Sequence, residues 1–267
     1  MTGRILNMSK TDNVGQVDIY GEIVPEAWRW EGEESATSFK NTLEKLKGVD
    51  EIVVNINSPG GDVFEGIAIH NMLKRHKAKV TVNIDGLAAS IASVIAMAGD
   101  VVRMPSNSML MIHNAMSGTF GNANDLREVA DLLEKVTGTL IETYLNKSDK
   151  LKTDSLKALL DAETWMTAEE AFSYGLIDEV ITSKKLVACA SKERLAMYNK
   201  TPNKVLKMVE TPEETVTEGK DNVTEDETLT TEEIKDLIIE VVNEELDKYD
   251  LTKKEEVTNK IKNRLYL

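Results

Sequence analysis

An α/β fold built on a largely parallel sheet is what this sequence predicts, and three observations carry the prediction. Four short runs, "EIVVNIN" (51–57), "KVTVNID" (79–85), "DVVRMP" (100–105) and "SMLMIH" (108–113), are rich in β-branched residues and near-continuously apolar in places, as strands covered on both faces are. Helix-patterned stretches separate the first three. The resulting strand–helix–strand–helix–strand order implies right-handed βαβ crossovers.

The elements follow in chain order. Between the first two strands, "FEGIAIHNMLKRHK" (64–77) sets Ile67, Ile69, Met72 and Leu73 on a helical period with basic residues in its last turn. On that helix His70 reads as a packing residue and His76 as a cation on the helix dipole. Between the second and third strands, "GLAASIAS" (86–93) runs on to Gly99 as a turn and a small-residue helix. Farther along, Leu126, Val129, Leu132, Leu133, Val136, Leu140, Ile141 and Tyr144 recur at helical spacing over 125–147. This helix is more apolar than a one-sided surface helix needs, which points to a subunit contact.

With 267 residues, 41% of them hydrophobic, the chain can form one substantial core plus an appendage. The apolar stretch 87–98 is shorter than the roughly 20 residues that cross a bilayer, so no membrane span is expected. No charged-then-apolar leader opens the sequence, and Cys189 is the single cysteine. Both features suit a reducing cytoplasm, and a lone cysteine forms neither an internal disulfide nor a cysteine metal cluster. The net charge of −14 argues against a nucleic-acid partner, because a continuous basic face is hard to assemble from such a surplus of carboxylates. From Thr201 onward there are 18 acidic and 10 basic residues. The stretch 201–230 reads as a flexible acidic linker. After it, Ile234, Leu237, Ile238 and Val241 mark an amphipathic helix behind a Thr230/Thr231 cap, giving a three-part organisation of 1–200, 201–230 and 231–267.

Ligands of open α/β sheets bind at the carboxyl ends of strands, and three segments meet that condition. "SPGGD" follows the strand ending at Asn57, and its glycines permit backbone N–H groups to face a cavity or simply a tight turn. It lacks the spacing of nucleotide-binding loops. Ser90 stands where a buried strand turns into a helix, the setting of a nucleophile elbow, although a serine there also serves as a helix cap. His113 closes an apolar strand at the same edge. Acyl transfer needs a hydroxyl, a base, a carboxylate to hold the base, and N–H donors for the oxyanion. The acid is sought in "LLDAETWMTAEEAFSYGLID", where Asp161 and Glu163 precede Trp165, while Glu169 and Glu170 read as the first turn of a helix.

"INSPGGDVFEGIAIHNML", "GLAASIASVIAMAG", "MPSNSMLMIHNAMSGTFGNANDL" and "MTAEEAFSYGLIDEV" resemble, in order and spacing, the Clp peptidase proteolytic subunit (ClpP) family over residues 15–182. The resemblance implies a crotonase-like β/α superhelix and a serine peptidase needing neither metal nor nucleotide cofactor. It implies Ser90 as nucleophile, His113 as general base, and Gly61 and Ile91 as oxyanion N–H donors. The family's aspartate aligns with Glu163, so Glu163 or the neighbouring Asp161 orients His113. "SGTFGNAND" is implied to be a glycine-rich strand that binds extended substrate, with Gly118 and Gly121 in it and Gly60 of "SPGGD" as a further substrate-binding position. The helix 125–147 is implied to stack two rings, of seven subunits each in the family pattern. The short N-terminal region and the acidic tail depart from the housekeeping members and look like the head maturation proteases of phages and prophages, which act in the bacterial cytoplasm on capsid and scaffold proteins. The short N-terminal region speaks against docking of an unfoldase ATPase. Two competing functions are weighed beside it, a housekeeping proteolytic subunit serving such an ATPase and a crotonase-fold acyl-CoA enzyme, which needs no Ser–His pair.

Overall fold

The computed structural model describes residues 8–11, 13–30, 32–182, 195 and 197–202. The chain divides into two compact units, 1–211 and 212–267, and the second lies wholly outside the described residues. So do the expected tail helix at 231–267 and, beyond Pro202, the acidic linker. Among the described residues no helix is long and apolar enough to cross a membrane.

Mixed α/β architecture with a mostly parallel sheet is observed. Its strands are β1 (Met8–Thr11), β2 (Val14–Tyr20), β3 (Glu51–Ser58), β4 (Lys79–Ala89), β5 (Val101–Pro105), β6 (Met109–Ile112), β7 (Thr164–Thr167) and β8 (Glu179–Ile181). The helices are α1 (Ala36–Lys45), α2 (Val63–Lys74), α3 (Ile91–Ala96), α4 (Ala123–Lys147), α5 (Thr153–Asp161) and α6 (Ala168–Ser173). The strand order is β1-β2-β3-β4-β5-β8, with antiparallel pairing only at β1/β2 and β6/β7. Ile52, Val54, Ile56, Val80, Val82 and Ile84 are fully or almost fully buried, which is why β3 and β4 read as apolar runs.

β4 is longer than its sequence suggests. The strand does not stop at Asp85 but continues through Gly86 to Ala89, so "GLAA" is strand and not turn. The reason is pairing. The first half of β4 pairs with β5 through Thr81, Val82 and Asn83, whereas the second half pairs with β6 through Leu87, Ala88 and Ala89. Small side chains suit this crowded segment, since a Cβ on Gly86 would approach the Asn57 Oδ1 to 2.9 Å. By changing partners along its length, β4 delivers the start of α3 and the end of β6 to one place. α3 is then tied to α4 by the Ser93 and Tyr144 hydroxyls, 2.7 Å apart.

α4 runs for 25 residues, and only Leu140, Ile141 and Tyr144 in its second half are buried. Leu126 and Leu132 stay exposed, so the first half carries apolar surface that the single chain does not cover. His70 packs as expected, donating from Nδ1 to the Val94 carbonyl at 2.9 Å, and burial holds its imidazole below the ordinary range. His76 departs from the expected cation. Its Nδ1 accepts the Ala78 N–H at 3.1 Å, a bond of the neutral ring, and desolvation holds its pKa below the ordinary value.

One buried acid lies under α1. Glu34 is 4% exposed and accepts hydrogen bonds from the Ser35 N–H and the Ser38 hydroxyl. Desolvation outweighs these bonds and pushes its carboxyl up to about 7. A raised carboxyl favours the folded state fully below the unfolded value of 4.5 and loses that contribution as pH climbs through 7. Thermal denaturation is therefore expected to show stability falling between pH 5 and 8, with Glu34→Gln flattening the decline and stabilising the protein at pH 8 by on the order of 2 kcal/mol.

Candidate active site

Three chain segments converge at the C-terminal ends of β3, β4 and β6. Ser90 joins β4 to α3 with φ 54° and ψ −127°, a conformation that L-residues rarely hold. It does not cap α3 through its side chain. Its N–H donates to the Met111 carbonyl at 3.0 Å, and its carbonyl accepts from the Ser93 hydroxyl at 2.6 Å, so the backbone of the elbow is clamped on both sides. The hydroxyl is thus available for chemistry. His113, one residue beyond β6, has Nε2 at 2.7 Å from Ser90 Oγ. In the tautomer protonated at Nδ1, Nε2 accepts the serine proton.

The glycine pair closes a second side. Gly60 has φ 97°, and a Cβ there would lie 2.7 Å from the Ala89 carbonyl oxygen and 2.8 Å from Ser90 Cβ. Gly61 has φ 148°, and its Cβ would fall 1.9 Å from the Ile23 carbonyl oxygen. Both positions therefore require glycine through close backbone approach, which the sequence left undecided between turn and cradle. Ile91, at the first position of α3, carries one of the N–H groups that a helix N-terminus leaves without an intrahelical acceptor. Asp62 caps α2 by accepting from Phe64 N and Glu65 N.

The two candidate acids occupy different surroundings. Asp161, the last residue of α5, is exposed and accepts from Asn114 Nδ2 at 2.7 Å. Glu163 is 9% exposed, and its two carboxylate oxygens accept the backbone N–H of Asn199 at 2.9 Å and of Lys200 at 2.6 Å. Its φ is 49°. Among the described residues Ser90 and Glu163 are the only non-glycine residues with positive φ. Strain of this kind persists only where the surroundings enforce it, and it concentrates at functional positions.

The expected substrate strand takes a different form. Residues 114–122 form no strand in the single chain, and Phe120 is 98% exposed. Among the described residues the segment pairs with no strand, so its backbone joins no ladder. Gly121 serves the start of α4, where a Cβ would meet Asp125 Cβ at 2.6 Å, and Gly118 is exposed. Among the described residues no three His, Cys, Asp or Glu side chains cluster as a metal site.

One close neighbour of His113 is not legible in the sequence. Tyr198 lies with its ring centroid 5.2 Å from that of His113 at an interplanar angle of 82°, and its hydroxyl donates to the Pro59 carbonyl at 2.5 Å. A tyrosine in "KERLAMYNKT" carries no spacing signal that joins it to a histidine 85 positions earlier.

A hydroxyl and an imidazole in contact where strand ends converge are the pair a serine hydrolase uses, and the family this chain matches is one of serine peptidases. Comparison with known proteins narrows the class. A family model described as Clp protease matches residues 31–184, more than half of the chain, and the chain belongs to that family. It is 38% identical over 141 residues to an ATP-dependent Clp protease proteolytic subunit of Deinococcus radiodurans, covering 52% of this chain and 69% of that protein. To the protein of the same description in Bacteroides fragilis it is 34% identical over 185 residues, covering 64% and 87% respectively. The family forms oligomeric rings and acts on protein substrates.

Proposed function

We propose that the protein is a serine endopeptidase that trims capsid or scaffold proteins during phage head assembly, with Ser90 as nucleophile and His113 as general base. The observation that carries the peptidase assignment is the 2.7 Å contact between Ser90 Oγ and His113 Nε2 on a strained elbow. In this reading His113 takes the Ser90 proton as Oγ bonds to a peptide carbonyl carbon, and the oxyanion is held by the N–H groups of Gly61 and Ile91. The imidazolium returns the proton to the amine nitrogen as the C–N bond breaks. Water, deprotonated by His113, then releases the acyl group and restores Ser90. Glu163 is the acid that holds His113, on the strength of its burial and positive φ; Asp161 is the alternative. Gly60 and the segment with Gly118 and Gly121 bind extended substrate once a neighbouring chain or the substrate itself supplies a pairing edge.

The assembly role rests on the organisation of the chain. The family match ends at residue 184, and the sequence continues into an acidic stretch and an amphipathic pattern, the proposed linker 201–230 and tail 231–267 behind the domain 1–200. The uncovered apolar residues of α4 suit the packing of rings, of seven subunits in the family pattern. Incubation with a fluorophosphonate followed by peptide mapping is expected to place one adduct on Ser90. Co-expression with a capsid and a scaffold protein is expected to give discrete cleavage products. An adduct elsewhere overturns the nucleophile; intact capsid and scaffold chains beside an adduct on Ser90 overturn the assembly role alone.

A second reading is favoured by the relatives, which are ATP-dependent Clp protease proteolytic subunits. Under it the protein serves an unfoldase. Co-purification with a ring ATPase and ATP-dependent loss of a folded substrate would select that reading.

A further inference from the structure

A short piece of chain far in sequence from Ser90 and His113 is seated against the base and the acid of the candidate triad. Leu195 is fully buried and Tyr198 7% exposed in a small apolar cluster with Leu87, Ala89 and Met111, bordered by Trp165. Along β4 and β6 these residues alternate with Ala88, Leu110 and Ile112, which belong to the main core. The piece therefore covers the face of the sheet turned away from the main core, the face that His113 shares by alternation with Met109 and Met111.

Its polar contacts converge on the site. The Tyr198 ring meets His113 edge to face and lies 6.1 Å from Trp165, while its hydroxyl is tethered to Pro59, the residue before the glycine pair. The next two N–H groups, of Asn199 and Lys200, take one Glu163 oxygen each, and Lys200 Nζ donates to the Ala162 carbonyl at 2.6 Å. Burying a carboxylate without hydrogen bonds is costly, and these two donors meet that cost at the acid whose backbone is strained. Meanwhile the Ser90–His113 contact stays at bonding distance. A segment that blocked the site by displacing its base would break that contact.

We propose that residues 198–200 form a positioning strap, in which the Tyr198 ring fixes the His113 imidazole and the Asn199 and Lys200 N–H groups fix the Glu163 carboxylate. The inference rests on Ser90 and His113 being nucleophile and base. Proton transfer is sensitive to misplacement of the base, so loss of a wall beside the imidazole lowers the rate of attack without a comparable change in binding.

The test is the reaction of the full-length protein with a fluorophosphonate, resolved into its maximal rate and its half-saturating concentration. Tyr198→Ala is expected to lower the maximal rate by about 10- to 100-fold and to leave the half-saturating concentration within about threefold. Tyr198→Phe keeps the ring edge and drops the tether to Pro59, and its loss is expected to be only several-fold. Should the alanine variant fail to fold, Tyr198→Leu, which keeps apolar volume and lacks the aromatic edge, carries the same expectation as alanine. Labelling of Tyr198→Ala or Tyr198→Leu at the wild-type rate overturns the strap. Faster labelling overturns it too, in favour of an inhibitory cover. A wild-type protein labelled away from Ser90 removes the underlying reading itself, so the two failures are distinct.

Discussion

Ser90→Ala is expected to lower kcat/KM for peptide cleavage by about 10⁴- to 10⁶-fold, leaving the residual rate that N–H donors and binding alone provide. Three features of the chain support so large an effect. The hydroxyl lies 2.7 Å from the imidazole, the elbow that presents it is clamped by the Met111 carbonyl and the Ser93 hydroxyl, and Ser93 itself is engaged with Tyr144 and so is no substitute nucleophile. Stability should respond in the opposite sense to a glycine. With φ 54° and ψ −127°, Ser90 occupies a region that glycine enters freely. Ser90→Gly is expected to be equally inactive, yet to raise thermal stability by about 1 kcal/mol, because the strain is released. Active glycine or alanine variants would remove Ser90 from the chemistry.

The parts of the site that were legible in the sequence are those made by local pattern. β3, β5 and β6 appear as apolar runs, α2 and α4 as periodic ones, and Ser90 and His113 as chemical residues at their ends. The extension of β4 through "GLAA" was hidden, because two alanines and a glycine have little strand preference and acquire strand geometry only by pairing with β6. β2 and β8 are also set by tertiary pairing, with β3 and β5 respectively. The strap was hidden for a stronger reason. Its bond from Tyr198 to Pro59 spans 139 positions, and its hold on Glu163 uses main-chain N–H groups that no side-chain motif encodes. Conversely, "SGTFGNAND" is expected as a strand from the resemblance alone, and among the described residues it joins no ladder.

The acid carries the other large effect. Glu163→Gln is expected to lower kcat by about 10³- to 10⁴-fold, while Asp161→Asn changes it by less than about tenfold. Glutamine keeps the length of the side chain and one carbonyl oxygen for the strap, but it has no charge with which to favour the imidazolium that the proposed mechanism forms. Asp161 lies in water with Asn114 as partner, where its charge is screened and its geometry free. Glu163 is instead buried, and its position just beyond α5 at φ 49° is one that glycine ordinarily fills. A chain that keeps glutamate there, at a cost in backbone strain, is holding a carboxylate at a defined height above the end of the helix. Glu163→Asp shortens the acid by one methylene and withdraws it from Asn199 and Lys200, so its loss should fall between those of the glutamine variant and the wild type. If Asp161→Asn proves the more damaging change, the acid is Asp161, acting beside Asn114, and the strain at Glu163 serves the strap alone.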